Sequence, residues 1–507
     1  MKKNHFFTYT KMCVLALFGA GMLLLTSCAV DGFDKDETYE SSVRNSELLS
    51  PELSKESFST VVNSDGSERL VVRWDVIPGA GGYEYAAYNV DDPDNPVELV
   101  SGVVDGVSFS FPKAEDTRYL VTVRTLGNEK LNNTEAAEPT AFAYATLIDA
   151  VTVPVGNDLA EFITANLKDT DEEQAFELEA GAAYTCNTAF DLMDKKVTIR
   201  GNKIDHSIVT FGAEAAIHTS AQLKVKWINF DCSEMNGKKG VVEMSPVPPA
   251  SASAEAQGVG AGKSNGNPAD CFILMDPIII DDCAMKNVKG SIFTVGDCSW
   301  GIQDLRIQNC VIQLDFDGSV SSNYAMISAY SNLWTAPSGG QFWSGCIRNM
   351  SFRNNTIMNI ASNNKNFTFR FNNKDLDRCF PTADGSCTMM NNTFIRIMDG
   401  KNFADRTPNQ NKYIITFDNN IFYDTWRIQK FIQGNCIVNH HQELNTIWGV
   451  KNSVDATDKG KWATEEDPGF NVEETLKVLD FTQENYGLNL TPTGPISSTI
   501  GDPRWLP

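Results

Sequence analysis

The chain has 507 residues and a formal net charge of −23 at pH 7. Residues 1–27 read as a secretion signal that contains three lysines and no acid, so its removal would leave a net charge of −26. Because no basic stripe accompanies this charge, nucleic acid and anionic lipid surfaces are excluded as main partners. An acidic glycan is not excluded, since salt limits the reach of the field to about 8 Å and a local Arg/Lys cluster can still hold a polyanion.

The N-terminus has the pattern of an export signal. Three lysines precede the apolar run from Val14 to Leu25, which is too short for a confident membrane span. The run ends Leu25-Thr26-Ser27-Cys28, which resembles a bacterial lipobox, with a coincidental Cys in an ordinary signal as the alternative. The resemblance implies that Cys28 is lipidated and anchors the protein durably in the outer membrane.

An acidic tether is predicted over residues 28–50. Asp31, Asp34, Asp36 and Glu37 resemble the surface-export tags of Bacteroidetes lipoproteins, and a solvated linker is the alternative. We therefore expect a lipid-anchored protein of the outer membrane that faces the cell exterior.

Residues 51–147 predict short strands separated by turns. The clearest alternating runs are Leu70–Trp74, Tyr83–Tyr88, Val107–Phe111 and Tyr119–Arg124. Trp74, the turn after it and the Tyr-x-Val-x-Val phrase at Tyr119 resemble a fibronectin type III module. The resemblance implies that Trp74 packs between two sheets and that the module is a spacer without a site.

From Trp227 to His441 one short sequence pattern recurs at variable spacing. It consists of an apolar stretch, a pair made of Asn or Asp followed by Asn or Cys, and then apolar residues again. The intervals between pairs are 51, 27, 45, 37, 28 and 16 residues, which excludes a propeller or helical solenoid of fixed period. A coiled parallel sheet tolerates loops of any length between its turns. The pairs are Asp231-Cys232, Asp282-Cys283, Asn309-Cys310, Asn354-Asn355, Asn391-Asn392, Asn419-Asn420 and Asn435-Cys436.

Stacking explains why such pairs recur. In a parallel β-solenoid, amide side chains at equivalent corners can hydrogen-bond along the axis, and Cys fits as a small apolar filler. The alternative is a β-sandwich with Asn-rich turns, although such turns favour Gly and Pro more.

The start of this region carries a helix signal. Residues 158–167 place apolar side chains on one helical face, with Asp158 as N-cap, and such a helix would cover the open first coil. The strand phrases that follow, and the terminal Gly501-Asp-Pro-Arg-Trp-Leu-Pro507, resemble pectate-lyase-like β-helices. The predicted fold is all-β: a fibronectin type III-like sandwich, then a right-handed parallel β-helix over residues 150–507 with an N-terminal capping helix.

Cysteines number twelve. Cys232, Cys283, Cys310 and Cys436 are expected to be buried fillers at equivalent corners, in preference to disulfides. For Cys379 and Cys387, which flank a short turn, a disulfide and two thiols remain equally open.

Basic residues decide whether a lyase is plausible. A uronate lyase needs a base and a cation that neutralises the carboxylate, and Arg370, Lys374 and Arg378 form the densest charged cluster. A solvated loop face is the alternative. Asp315 and Asp317 are weak calcium candidates, and no other cofactor is expected. Polygalacturonase-type hydrolysis is disfavoured because the chain lacks a Gly-His-Gly segment.

Aromatic residues in residues 319–345 favour sugar binding. Tyr330, Trp334 and Trp343, together with Arg370, are the predicted glycan contacts, and packing of the loop onto the coils is the alternative.

The whole arrangement resembles outer-membrane lipoproteins of Bacteroidetes polysaccharide-utilisation systems. That implies a surface protein that captures a glycan, pectin-like or otherwise uronate-containing, together with other components of an uptake system. A uronate lyase and a structural or adhesion protein are the alternatives.

Overall fold

The computed structural model describes residues 47–258, 271–316, 325–330, 345–361, 367–371, 376–380, 384–397, 403–405, 407, 410–425, 428, 435–449 and 461–507. The chain divides into two compact units, residues 1–146 and residues 147–507. Among the residues the structure describes, no helix is long and apolar enough to cross a bilayer.

The first unit is built from two antiparallel sheets. The strands are β1 (Phe58–Val62), β2 (Glu68–Arg73), β3 (Gly82–Asn89), β4 (Val97–Val104), β5 (Ser108–Pro112), β6 (Arg118–Leu126) and β7 (Thr140–Ala145). One sheet has the strand order β1-β2-β5 and the other β4-β3-β6-β7. The four runs predicted from the sequence form β2, β3, β5 and β6.

Trp74 belongs to the core of the first unit, as predicted. It is 6% exposed and meets the Tyr83 ring edge-on at 5.3 Å. Two facing antiparallel sheets are partly consistent with a fibronectin type III module, and the finer resemblance stays a prediction.

The second unit consists of long parallel sheets. Sheet A contains β8 (Ala150–Val153), β9 (Gln174–Leu178), β11 (Val197–Arg200), β13 (Leu223–Lys226), β16 (Cys271–Asp281), β19 (Ser299–Gln308), β22 (Cys346–Arg353), β25 (Gly385–Met390), β28 (Tyr413–Asp418) and β30 (Ile437–His440). Sheet B contains β14 (Ile228–Asp231), β17 (Ala284–Val288), β20 (Val311–Leu314), β23 (Thr356–Asn359), β26 (Thr393–Ile395), β29 (Ile421–Tyr423), β31 (Thr446–Trp448) and β32 (Thr464–Glu465). Sheet C contains β15 (Gly240–Met244), β18 (Ser291–Thr294), β21 (Ala325–Ser328), β24 (Phe367–Arg370) and β27 (Ala404–Asp405).

The chain winds through the three sheets in the order A, B, C and then returns to A. Sheets B and C are joined by two long strands, β10 (Ala183–Asp191) and β12 (Ser207–Thr219), because β12 pairs with β14 through its first half and with β15 through its end. From β13 to β28 each turn therefore adds one strand to each sheet, which is the path of a parallel β-helix. Right-handed winding stays a prediction.

Helices are few among the described residues. The α-helices are α1 (Leu159–Asn166) and α2 (Leu376–Cys379). Short 3-10 turns occur at Lys55–Ser57, Glu129–Leu131, Ala250–Ala252, Gln442–Leu444, Glu474–Leu476, Glu484–Gly487, Ser497–Thr499 and Pro503–Trp505.

Helix α1 confirms the predicted capping helix. The Asp158 carboxylate accepts hydrogen bonds from the backbone N–H groups of Ala160 and Glu161, at 3.0 and 3.2 Å. Leu159 and Ile163 are fully buried in the core of the coil. The helix therefore covers apolar side chains of the first coil.

A ladder of buried asparagines runs along the corner between sheets A and B. The backbone N–H and Nδ2 of Asn355 donate to Asn392 Oδ1, those of Asn392 donate to Asn420 Oδ1, and those of Asn420 donate to Asn445 Oδ1, at 3.0 to 3.2 Å. Each Nδ2 also donates to a carbonyl of the adjacent coil, so every amide is satisfied without water. The predicted stacking is confirmed.

Five of the seven predicted pairs occupy this corner. Their first residues, Asp282, Asn309, Asn354, Asn391 and Asn419, all adopt the left-handed conformation, with φ between 48° and 60°. Asn tolerates this region better than other residues that carry a side chain, which explains its recurrence.

Two pairs were assigned to the wrong place. Asp231-Cys232 follows β14 and lies at the next corner, while Trp227 takes the left-handed position with φ 57°. Asn435-Cys436 precedes β30, and the ladder instead ends at Asn445. Cys232 is buried as expected, but Cys436 is only half-buried.

The open question of a disulfide between Cys379 and Cys387 is answered in the negative, because Cys387 is a free thiol. Cys379 packs against Gly301 of β19, and Cys387 lies in β25, two strands away in sheet A.

The C-terminal segment, residues 466–507, covers the outer face of sheet B. Phe470, Leu490 and Trp505 pack on the outward side chains of the sheet, among them Ala284 and Met358. Polar contacts fix the segment in place: Trp505 Nε1 donates to Thr356 Oγ1 at 2.6 Å, and Gln313 Nε2 donates to the Lys477 carbonyl at 2.6 Å.

Candidate functional site

Sheet C differs from the other sheets in the lengths of the connections at the ends of its strands. The corner from sheet A to sheet B is always two residues at the five rungs described above, from 282–283 to 419–420. Connections from sheet C to sheet A range from 295–298 to 245–270, and those entering sheet C from sheet B also vary. Variable loops on a rigid scaffold are where binding residues concentrate. Sheet B is covered by the C-terminal segment. Sheet A has variable connections at one end of its strands and sheet C at both ends, so sheet C is the strongest candidate.

The outer face of sheet C, together with the C-terminal ends of β10 and β12 that continue it, carries one polar residue at each rung, in a single register. The residue directly before each polar residue, such as Ile217, Phe293 or Phe369, is buried in the core of the coil. Because successive side chains of a strand point to opposite faces, the polar side chains point away from the core. We call this row the polar column. Its members are Asp191, His218, Glu243, Thr294, Ser328, Arg370 and Asp405.

One end of the polar column is a hydrogen-bonded acidic group around a histidine. His218 Nε2 lies 3.0 Å from Glu243 Oε2, and both side chains are 12% exposed. Ser245 Oγ donates to Asp191 Oδ2 at 2.5 Å, and the Gly240 backbone N–H donates to Glu243 Oε1 at 2.6 Å. These contacts hold the carboxylates in fixed positions.

The other end brings together two residues that the sequence assigned to glycan binding. The Arg370 guanidinium stacks on the Tyr330 ring at 4.0 Å from its centroid, and Arg370 Nε lies 3.4 Å from Asp405 Oδ2. Tyr330 is 1% exposed and Arg370 is 6% exposed. The Tyr330 ring therefore supports Arg370, and it does not form the open stacking platform that was expected.

Most of the remaining predicted site residues lie outside the part of the chain that the structure describes. Trp334, Trp343, Lys374 and Asp317 lie outside the described residues, and Arg378 falls within α2. In the sequence, Trp334 and Trp343 fall between β21 and β22, and Lys374 falls between β24 and β25.

Calcium stays a prediction. The Asp315 backbone N–H donates to the Val288 carbonyl at 2.8 Å at the end of β20. Within the described ranges, no three His, Cys, Asp or Glu side chains gather as metal ligands.

The spacing of the polar column decides what chemistry it can support. His218 and Arg370 are four strands apart, roughly 19 Å at about 4.8 Å per strand. A base and a charge-neutralising cation must both reach one sugar residue, so these two cannot form a single catalytic centre. A single ligand that contacts both ends of the polar column must therefore be extended.

Two family models match the sequence. DUF4992, a domain of unknown function, matches residues 1–187, and another domain of unknown function (DUF4957) matches residues 182–360. No curated protein matches the chain.

Several solved structures are similar to this chain at low identity. An alginate lyase of family PL6 is 12% identical, with a TM-score of 0.28 and coverage of 68% of this chain and 45% of the lyase. A family 28 exopolygalacturonase from Yersinia enterocolitica is 10% identical, with a TM-score of 0.20 and coverage of 80% and 92%. A pectate lyase from Erwinia chrysanthemi, in complex with tetragalacturonic acid, is 8% identical, with a TM-score of 0.16 and coverage of 81% and 87%. The chain thus spans less than half the length of the alginate lyase, and the fold assignment rests on the strand pairing described above.

Proposed function

We propose that this protein binds a polysaccharide, pectin-like or otherwise uronate-containing, along the outer face of sheet C. The observation that carries the proposal is the polar column: seven rungs in one register, flanked by the connections of variable length. From Asp191 to Asp405 the column extends roughly 29 Å at about 4.8 Å per strand. The partly exposed groups that an extended polymer would contact are the imidazole of His218 and the carboxylates of Glu243 and Asp405. Thr294, Ser328 and Arg370 are buried beneath this face.

The sequence signals support a location for this activity. The lipobox at Cys28 and the acidic residues after it favour a lipoprotein anchored in the outer membrane and facing outward. The partner would be an extracellular polysaccharide, passed on to other components of an uptake system.

A uronate lyase is the second candidate, and one contact favours it. Arg370 is held by Tyr330 and Asp405 on the outer face of sheet C, next to the connection that contains Lys374. An arginine fixed in this way can neutralise a uronate carboxylate while a neighbouring residue removes the proton.

Affinity electrophoresis through gels that contain single polysaccharides tests both candidates, if the absorbance of unsaturated uronates is followed in parallel. Retardation without new absorbance supports binding, and rising absorbance supports the lyase. Absence of both across pectins, alginate and neutral plant glycans contradicts both candidates and leaves a structural or adhesive protein.

Substitutions in the polar column test whether the retardation depends on it. His218→Gln with Glu243→Gln keeps a neutral hydrogen-bonding pair, and Arg370→Gln removes the cation. Each should reduce retardation at least about tenfold, because hydrogen bonds to charged groups contribute about 1.5–3 kcal/mol. Arg306→Gln is the matched control, since Arg306 is 49% exposed on the outer face of sheet A and should leave retardation unchanged. Melting curves of all variants separate lost binding from lost folding.

A further inference from the structure

A separate cavity of about 320 Å³ lies where the C-terminal segment crosses the corner of sheets A and B. It is not part of the polar column, which lies on the outer face of sheet C. The residues that matter for its chemistry are His206, Asn229, Asp282, Phe481, Tyr486 and Arg504.

Asp282 departs from the asparagine pattern at this cavity. In the outer row of corner residues, Asn391 Nδ2 donates to Asn354 Oδ1 and Asn354 Nδ2 donates to Asn309 Oδ1, both at 3.0 Å. Asn309 Nδ2 then donates to Asp281 at 2.8 Å, so the row does not continue onto Asp282. The Asp282 carboxylate instead lies 3.7 Å from His206 Nε2 and 3.6 Å from Arg504 Nη2.

Two buried polar atoms at the cavity have no hydrogen-bond partner among the described residues. Asn229 is 4% exposed, and its Oδ1 accepts no hydrogen bond. Arg504 donates to the Asn309 carbonyl through Nη2 at 2.9 Å, but its Nη1 donates to no acceptor. Leaving such groups unsatisfied costs about 1–3 kcal/mol each, so a bound hydrogen-bonding molecule would stabilise this part of the fold.

The segment that borders the cavity holds a strained backbone. Asn485 and Tyr486 have consecutive φ angles of 48° and 58°, and neither is glycine. Such conformations cost of order 1–3 kcal/mol each and cluster at ligand-binding positions. Here they place the Tyr486 ring edge-on to Phe481, with a centroid distance of 6.0 Å, so two aromatic rings border the cavity.

We propose that this cavity binds a single neutral sugar residue. A sugar hydroxyl both donates and accepts, so it can donate to the partly exposed Asp282 carboxylate. A small shift of the Asn229 or Arg504 side chain would let it also pair with Asn229 Oδ1 or Arg504 Nη1, which are buried at the cavity wall. The Phe481 and Tyr486 rings offer apolar surface for the sugar ring. A uronate is disfavoured because Asp205, Asp282 and Glu484 all line the cavity, whereas Arg504 is its only permanent cation among the described lining residues.

Saturation-transfer NMR on the full chain, with D-glucose, D-galactose, L-arabinose, L-rhamnose and D-galacturonate as probes, tests the proposal. At least one neutral sugar should give a saturable signal that exceeds that of D-galacturonate. Asp282→Asn should weaken its binding at least about tenfold, since it replaces a charged acceptor. This variant should fold, because Asn occupies the same position at four later rungs.

Asn229→Leu provides a second variant that should also weaken binding of the sugar, and Arg306→Gln on the outer face of sheet A should not change it. Three results would overturn the proposal: no saturable neutral sugar, a preference for D-galacturonate, or equal affinity in wild type, Asp282→Asn and Asn229→Leu. The proposal does not depend on polysaccharide binding at the polar column, because Asp282→Asn should leave gel retardation unchanged. Failure of sugar binding in the cavity and failure of polysaccharide binding at the polar column can therefore be told apart.

Discussion

At the scale of single residues, the Asn392 side chain makes an unusually large number of buried hydrogen bonds. It is fully buried, donates to Asn420 Oδ1 and to the Phe352 carbonyl at 3.0 Å, and accepts from Asn355. Asn392→Ala should lower the free energy of unfolding by about 2–4 kcal/mol, because it leaves several buried polar groups without hydrogen-bond partners, at a cost of about 1–3 kcal/mol each. Urea unfolding measures the loss.

Asn391→Gly is the matched control for Asn392. Among the described residues, the Asn391 side chain hydrogen-bonds only to Asn354, and Asn391 has φ 57°, a conformation that glycine adopts readily. Its effect should stay near or below about 1 kcal/mol. Equal losses in the two variants would show that the buried ladder is not what stabilises the corner.

His441 gives a pH dependence with a defined sign. Its hydrogen bond to Asp418, at 3.0 Å, and the charge of that carboxylate raise the imidazole pKa above its ordinary value of 6.5. The charged form is favoured in the folded state, so the contribution to stability is complete below about pH 6.5 and is lost as pH rises through the folded-state pKa. NMR titration should find a raised pKa that Asp418→Asn returns toward 6.5. A wild-type pKa at or below that value would refute the assignment.

At the scale of elements, the C-terminal segment acts as a cover for sheet B. Trp505 is 4% exposed and anchors the segment both by packing and through Thr356. Trp505→Ala should destabilise the second unit by about 3–5 kcal/mol, the usual cost of removing a buried large aromatic side chain. Leu476→Ala, in the same segment but 42% exposed, should change stability by less than about 0.5 kcal/mol. Thermal unfolding of both variants decides whether the segment is a structural part of the coil.

Elements with a local signal were the predictable ones. Helix α1 follows from its apolar spacing and the Asp158 cap, and the corners from Asp282 to Asn419 follow from a residue that tolerates positive φ. Asp231-Cys232 and Asn435-Cys436 match the same pattern but lie elsewhere, because the pattern does not contain the strand register. Trp227 at a left-handed corner and Asn445 at the end of the ladder could be located only by pairing with neighbouring coils.

At the scale of the whole molecule, the two units have separate hydrophobic cores, one around Trp74 and Phe111 and one along the coil. A fragment of residues 147–507 should therefore fold alone and keep the melting midpoint of its transition within a few degrees of that in the full chain. Calorimetry of both proteins tests this. A fragment without a cooperative transition would mean that the coil needs the first unit.

The candidate site was less predictable than the fold. Tyr330 and Arg370 were singled out from composition and do meet, but their burial was not visible in the sequence. The polar column has a faint signal, an apolar residue followed by a polar one at the end of each strand of sheet C, as in Phe190-Asp191 and Val242-Glu243. Long connections separate these dipeptides, so only the pairing of the strands aligns them.

The most direct test of the central claim is hydrogen–deuterium exchange with and without a retained polysaccharide. Binding along sheet C should slow exchange in the flanking connections, such as 245–256 and 295–298, and leave the outer face of sheet A and the C-terminal segment unchanged. Protection confined to sheet A or to residues 466–507 would contradict the account.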